Sequence, residues 1–254
     1  MSKEPIEQIG KGNQWYIADQ IAESESPRQR RVIADRIRFI LQTVTEWRDK
    51  TCQQQDSVLP LRLLDAGCGD GVLLKALAPL EGFEIYGVDY NPLRVNRAKE
   101  NVPKAIVRQG DLRNLDFEDS FFDVIIMSQV LEHILEDVLV LKSLARILKR
   151  DGILILGVPN EGCLLAQLRN KYLESYILKI TDHVNFYTEK TIMMKIVEAG
   201  FAVDRVVRIG FAFPHQMITA WLNSRDWGYQ LGQLLGRLVK SQVAAFHFVC
   251  RKVT

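Results

Sequence analysis

Apolar positions along this chain switch between helical stripes and short dense runs. Ile33, Ile37, Ile40, Val44 and Trp47 recur at spacings of four, three, four and three, one face of an amphipathic helix. Ser26-Pro27 predicts its start, with serine as cap and proline in the first turn. Residues 51–60, TCQQQDSVLP, read as a linker. Leu61, Leu63 and Leu64 then lead into Asp65 as a buried strand, and Val72, Leu73, Leu74, Ala76 and Leu77 return at helical density. Further strands are predicted at Phe83–Val88, Ala105–Arg108, Phe121–Ser128, Gly152–Pro159 and Phe201–Ile209. Between them, Asn91-Pro92 caps a helix to about Asn101, a stripe from Ile134 to Leu148 makes a helix closed by Gly152, and Thr188 caps a helix ending at Gly200.

Strands separated by helical stripes imply right-handed crossovers and a doubly wound, mostly parallel α/β sheet of seven strands. The last strand, Val243–Val249, is expected to run antiparallel and to insert beside its predecessor. Residues 1–60 read as an N-terminal helical segment covering the site, and 61–254 as the main domain. Two stretches interrupt the alternation: an apolar, aromatic helical insertion near 161–182, and a helical or mixed segment near 211–240. Each is as compatible with core packing as with a lid over an apolar or aromatic ligand.

The stretch LLDAGCGDG, Leu63 to Gly71, ends the first strand in a turn of three glycines. Glycine costs stability inside an element, so a cluster at a strand end marks a tight turn and a close backbone approach. A pyrophosphate binder spaces its glycines G-x-G-x-x-G. Here Gly67, Gly69 and Gly71 alternate, and Asp65 precedes them. An anion at that point repels a pyrophosphate and suits a ligand carrying an ammonium and a sulfonium.

On these residues LLDAGCGDG resembles motif I of the class I S-adenosylmethionine-dependent methyltransferases. YGVDYNP, QGDLRNLDF, FDVIIMSQVLEHI and LKRDGILILGVPN follow in that family's order. The resemblance spans about Leu61 to Pro159 and implies a Rossmann-like methyltransferase fold with S-adenosylmethionine as cofactor. It implies that Asp65, Gly67, Cys68, Gly69 and Gly71 cradle the methionine end, and that Asp89 accepts the ribose hydroxyls. It places Tyr90, Asp111 and Leu112 around the adenine, Ser128 and Gln129 near the methionine moiety, and Trp15 with Tyr16 over the site. Cys68 reads as a small turn-filling residue, although a helix start can lower a thiol pKa.

Two histidines are candidates for acceptor chemistry. His133 lies in LEHI. His183 lies in DHVNFYT, which resembles an element of the ubiquinone-type O-methyltransferases and their uncharacterised relatives. A hydroxyl acceptor needs a base, and imidazole titrates in the right range. His215 and His247 carry no pattern. The expected activity is methyl transfer to a small molecule at oxygen. An RNA or protein methyltransferase and a non-catalytic regulator that binds the cofactor are the alternatives. No nucleic acid is expected, because no nucleic-acid module is evident and SQVL replaces the motif of base-amino methylases.

The net charge of +2 changes little, but its distribution matters. Residues 28–38 hold five arginines, and Arg205 to the end holds seven Lys/Arg against Asp226. These are read as a solvated basic face, with weak contact to an anionic membrane surface as the sharper possibility. The four cysteines have neither metal-ligand nor disulfide spacing, so no metal centre is expected and free thiols fit a reducing cytoplasm. The N-terminus is too polar for a signal peptide, and no apolar run reaches membrane-spanning length.

Overall fold

The computed structural model describes residues 19–26, 29–54, 60–176 and 182–253. Trp15, Tyr16, Pro27 and Arg28, all invoked above, lie outside the described residues, as do residues 177–181 of the insertion. In chain order the elements are α1 (Gln20–Glu25), α2 (Arg30–Gln54), β1 (Leu61–Ala66), α3 (Val72–Leu77), β2 (Phe83–Asp89), α4 (Pro92–Asn101), β3 (Ile106–Gln109) and β4 (Phe122–Ser128). Then come α5 (Asp137–Ile147), β5 (Leu148–Pro159), α6 (Leu164–Leu168), α7 (Glu189–Glu198), β6 (Phe201–Ile209), α8 (Gln216–Asn223), α9 (Asp226–Leu238) and β7 (Ala245–Lys252).

The seven strands form one sheet in the order β3-β2-β1-β4-β5-β7-β6. All pairings are parallel except those of β7, which runs antiparallel between β5 and β6. Successive side chains of a strand face opposite layers. Leu64, Ile125, Met127, Leu154 and Leu156 pack one face with Leu141 and Leu144 of α5 and Ile192 of α7. Leu63, Val124, Ile126, Ile153 and Ile155 pack the other with Ile40 and Val44 of α2 and Leu74 of α3. Strand order reverses between β1 and β4, so the crevice at their carboxyl ends is where such a sheet binds ligands. Among the described residues, no helix is long and apolar enough to cross a membrane.

Three local expectations are corrected. The segment 51–60 is not wholly a linker, because α2 continues through Gln54. Gly152 does not close a helix: α5 stops at Ile147, and Leu148 already pairs with Phe122. The register of β4 and β5 shifts after that pair, and a Cβ on Gly152 would stand 2.6 Å from the Asp123 carbonyl oxygen. Gly152 therefore permits the close approach of β5 to β4 at this irregularity. The arginines of 28–38 and after 205 are not simply a solvated face. Arg31 donates to the Asn223 and Ser224 carbonyls and pairs with Asp226, while Arg205 donates to Thr43 and stacks over Phe39. Arg208 pairs with Glu189.

The helix α2 thus depends on its apolar stripe for docking. Ile40 is 1% exposed and sits within the cluster that contains Leu63 and Cys68. Ile40→Ala is expected to cost ~2–5 kcal/mol by lost burial and a residual cavity. Urea unfolding measures this. A loss below ~1 kcal/mol would mean that α2 lies outside the cooperative core.

Candidate functional site

The turn after β1 is held by its own backbone geometry. Gly67, Gly69 and Gly71 have φ of +87°, +53° and +89°. A Cβ on Gly67 would stand 2.4 Å from Val130 Cγ2, so no side chain fits between this turn and the loop after β4. Asp89, half-buried at the end of β2, accepts the Gly69 amide at 2.9 Å and the Asn91 amide at 2.9 Å. The N-terminal segment closes over the turn. Gln20 of α1 exchanges two 3.0 Å hydrogen bonds with buried Asp70, through its amide to Asp70 Oδ2 and its Oε1 from the Asp70 amide.

A cavity of about 190 Å³ opens where these pieces meet. Its lining joins Asp65 from the end of β1, Gly67 and Cys68 from the turn, Ser128 from the end of β4 and Gln129 after it, and Gln20, Ile33 and Arg36 from the N-terminal helices. Asp89, Tyr90, Asp111 and Leu112 are not part of that lining. The Leu112 side chain is buried in the core, and Asp111 is clasped by Arg113 at 2.8 Å. Burial opposes ionisation of Asp111, but the Arg113 hydrogen bonds win and hold its pKa below the usual range.

Asp65 is 3% exposed, and its Oδ2 has no hydrogen-bond partner among the described residues. Burial, then the nearby Asp89 charge, pushes its pKa up to about 7, with Arg36 offsetting in part. Burial lowers the pKa of Arg36 against the opposing pull of Glu132 and Asp65. Cys68 is not an activated thiol at a helix start: burial and the Asp65 charge push it well above its ordinary value. Gln129 holds φ of +60°, uncommon for a residue with a side chain, while its amide bonds to the Gly157 carbonyl at 2.8 Å.

Just beyond lies a second polar cluster. The turn Leu131–His133 follows Gln129, and the Glu132 carbonyl accepts the amides of Val184 and Asn185 at 2.9 and 3.1 Å. LEHI and DHVNFYT are thereby joined. The His133 and His183 rings meet edge-to-face, with centroids 4.7 Å apart. His183 Nδ1 lies 2.5 Å from Glu161 Oε2, and His133 Nδ1 lies 3.1 Å from Asp182 Oδ2. Burial alone would lower the His183 pKa, but the hydrogen bond and charge of Glu161, with Glu132 and Asp182, raise it above the ordinary value. Of the other histidines, His215 caps α8 and pairs with Glu174. His247 is buried on β7 and held at about 3 by burial and by Arg36.

Sequence reasoning missed Gln20, Glu161 and Arg36. Arg36 had a readable signal: it lies three residues after Ile33 and four before Ile40, on the apolar stripe that docks α2.

Residues 64–156 match the family model described as a methyltransferase domain. A probable S-adenosylmethionine-dependent methyltransferase of Mycobacterium tuberculosis is 31% identical over 39% of this chain and 35% of its own length. A ubiquinone/menaquinone biosynthesis C-methyltransferase of Campylobacter jejuni is 25% identical over 61% of this chain and 77% of its own. The chain spans less than half the length of the first curated relatives it matches. In fold it is similar to an S-adenosylmethionine-dependent methyltransferase of Mesorhizobium loti, with a TM-score of 0.56 at 18% identity over 77% of this chain and 92% of that one. Residues 64–156 are thus a methyltransferase domain, and the glycine turn and the sheet order agree with the fold of the class I S-adenosylmethionine-dependent methyltransferases.

Proposed function

We propose that the protein transfers a methyl group from S-adenosylmethionine to an oxygen of a small apolar or aromatic acceptor. The observation that carries the oxygen assignment is His183, backed by Glu161 and set against His133 in the loop that continues from Ser128 and Gln129. The residues of the cavity fit the cofactor. Asp65 Oδ2 and Ser128 Oγ are buried polar atoms with no partner among the described residues, and a cationic amino acid end supplies the donors they lack. Asp89 remains the acceptor for the ribose hydroxyls, since a carboxylate has lone pairs beyond the two taken by backbone amides. Tyr90, Asp111 and Leu112 belong to the adenine side in this reading.

When bound, the cofactor supplies a methyl group on a positively charged sulfur. The chain supplies alignment, exclusion of water and management of the acceptor's proton. His183 takes that proton, with Glu161 holding the ring by Nδ1 and stabilising the imidazolium. His133, fixed by Asp182, lines the same end. The segment around α6 and the segment α8–α9 supply the cover. Both leave the carboxyl edge of the sheet, and Glu174 ties them by accepting the Gln216 amide at 2.8 Å and pairing with His215 at 3.2 Å. Leu164, Leu173, Met217 and Trp221 leave apolar surface on these segments. The Campylobacter relative is named for carbon methylation, so that relative's name does not supply the oxygen assignment.

Gly67→Val is expected to abolish binding of S-adenosylhomocysteine in a folded protein, because the side chain must occupy the space of Val130 and adopt a disfavoured φ. Calorimetry on a variant with native circular dichroism checks this, and wild-type affinity would overturn the cradle assignment.

Cofactor affinity is also expected to depend on pH. Asp65 with a pKa of about 7 is half-protonated near neutrality, and a cationic ligand favours its ionised form. Affinity for S-adenosylhomocysteine should therefore rise from pH 6 to pH 8, by up to about tenfold per unit below the pKa. Asp65→Asn should flatten the profile. A pH-independent wild-type affinity would remove Asp65 from the ammonium site.

His183→Ala is expected to lower turnover by ~10²–10⁴-fold with cofactor affinity unchanged. His183→Gln keeps a hydrogen bond but takes no proton at neutral pH, so it should be nearly as slow. The wild-type rate should rise with pH through a value above the ordinary ~6.5, because only the neutral ring is a base and its pKa is raised. Full activity in the glutamine variant would leave His183 as a positioning residue.

A further inference from the structure

One buried histidine of β7 faces the cofactor end and has no task in the reading above. Ser128, at the end of β4, pairs in register with Gly157 of β5, and Gly157 pairs with His247 of β7. Residues abreast on neighbouring strands present their side chains to the same face. With glycine in the middle, the outer two side chains meet over bare backbone. A Cβ on Gly157 would stand 2.9 Å from Ser128 Oγ and 3.0 Å from His247 Nε2. Both atoms are buried, and neither has a hydrogen-bond partner among the described residues. The histidine is only 2% exposed, so solvent does not serve it. Ser128 lines the cofactor cavity, and His247 stands behind that lining. Buried polar atoms left unpaired are costly, and a shared guest would satisfy both. One water bonded to each at ordinary lengths spans ~5–6 Å, a span that the two approaches to Gly157 allow. Two polar partners are enough to hold a buried water.

We propose that His247 positions Ser128 for the amino acid end of the cofactor, through one water held above Gly157. The ring's charge sets the direction of these hydrogen bonds. Burial and the Arg36 charge keep His247 neutral, with a pKa of about 3. A neutral ring with its proton on Nδ1 offers a lone pair at Nε2. The water then donates to Nε2 and accepts the Ser128 hydroxyl proton. That leaves the Ser128 lone pairs facing the cavity, ready for the ammonium of the cofactor. An imidazolium would donate instead, reverse the chain and turn the hydroxyl proton against the ammonium. Phe39 of α2 packs against the ring, with centroids 5.2 Å apart, and fixes its place. The inference rests on the reading that Asp65 and Ser128 receive the cationic end of the cofactor, and it supplies what orients the serine.

The full chain is titrated by calorimetry with two probes. S-adenosylhomocysteine carries the amino acid end, whereas methylthioadenosine keeps the adenosyl group and lacks that end. His247→Phe retains a ring and removes its nitrogens. It is expected to weaken S-adenosylhomocysteine about 5–20-fold and to change methylthioadenosine less than about twofold. His247→Gln returns an acceptor near the place of Nε2, and should bring S-adenosylhomocysteine to within about threefold of wild type. In a Ser128→Ala background, His247→Phe should have no further effect, because the ring acts through the serine. Gly157→Ala puts a methyl where the water sits and should reproduce the selective loss, which keeps the test open if the phenylalanine variant does not fold. Equal loss of both probes in the position 247 or position 157 variants overturns the proposal. So does unchanged affinity for both, or a loss that persists undiminished without Ser128. Wild type that binds neither probe defeats the cofactor reading and this inference with it. Wild type that binds both, with unselective variants, leaves the cofactor reading standing and removes His247 alone.

Discussion

A carboxylate buried at the end of β1 constrains the rest of the site. Asp65, Asp70 and Asp89 crowd one glycine turn, and burial, with the charge of a neighbouring aspartate, raises the pKa of Asp65 and of Asp89. The structure manages the three differently. Asp89 takes backbone amides from the turn and from the start of α4. Asp70 takes the Gln20 amide and an Arg97 guanidinium at 3.5 Å. Asp65 receives only the field of Arg36 in part compensation and stays near the balance point between its two forms. The turn is thus left short of positive charge, at the position proposed above for the cationic end of the cofactor.

That deficiency explains why the N-terminal helices belong to the site. Without α1, Asp70 would lose its Gln20 partner, and without α2 Asp65 would lose the field of Arg36. The same helix also contacts the last helical segment, through residues within five positions of Arg36. Arg31 gathers the carbonyls that end α8 and the Asp226 carboxylate that begins α9, and Tyr229 donates to Asp35 at 2.5 Å. One strut therefore joins the cofactor turn to the segment assigned to the acceptor.

Much of this was legible in the sequence because two periodicities rarely conflict here. The strands are short apolar runs and the helices have clear stripes and caps, as at Asn91 and Thr188. The glycine turn was legible because so few structures require positive φ at alternate residues. Gly152 was misread because a glycine after a helical stripe looks the same whether it ends the helix or lets two paired strands approach closely. Arg36 was hidden among five arginines, and charge composition does not say which way a helix is turned. Asp111 could not be seen to pair with Arg113, two residues away, because sequence neighbours in a loop face each other only when the turn is right.

The acceptor end shows a different limit. LEHI and DHVNFYT each stood out, yet their meaning comes from contact across about fifty residues. The backbone amides of Val184 and Asn185 bind the Glu132 carbonyl, so the second segment is held as if it were an extra strand of the turn. Tyr187 then fixes the junction by donating to Asp137 Oδ2 at 2.7 Å. Once so fixed, the two histidines cannot be oriented by solvent, and the carboxylates behind them decide which nitrogen each presents. Glu161 comes from the loop leaving β5 and Asp182 from the segment before α7, so the chemistry at this end is set by loops on the carboxyl edge. In the proposed reading the sheet fixes where the methyl donor lies. The loops fix which acceptor atom can approach the methyl carbon, which is why the same strand order can serve different acceptors.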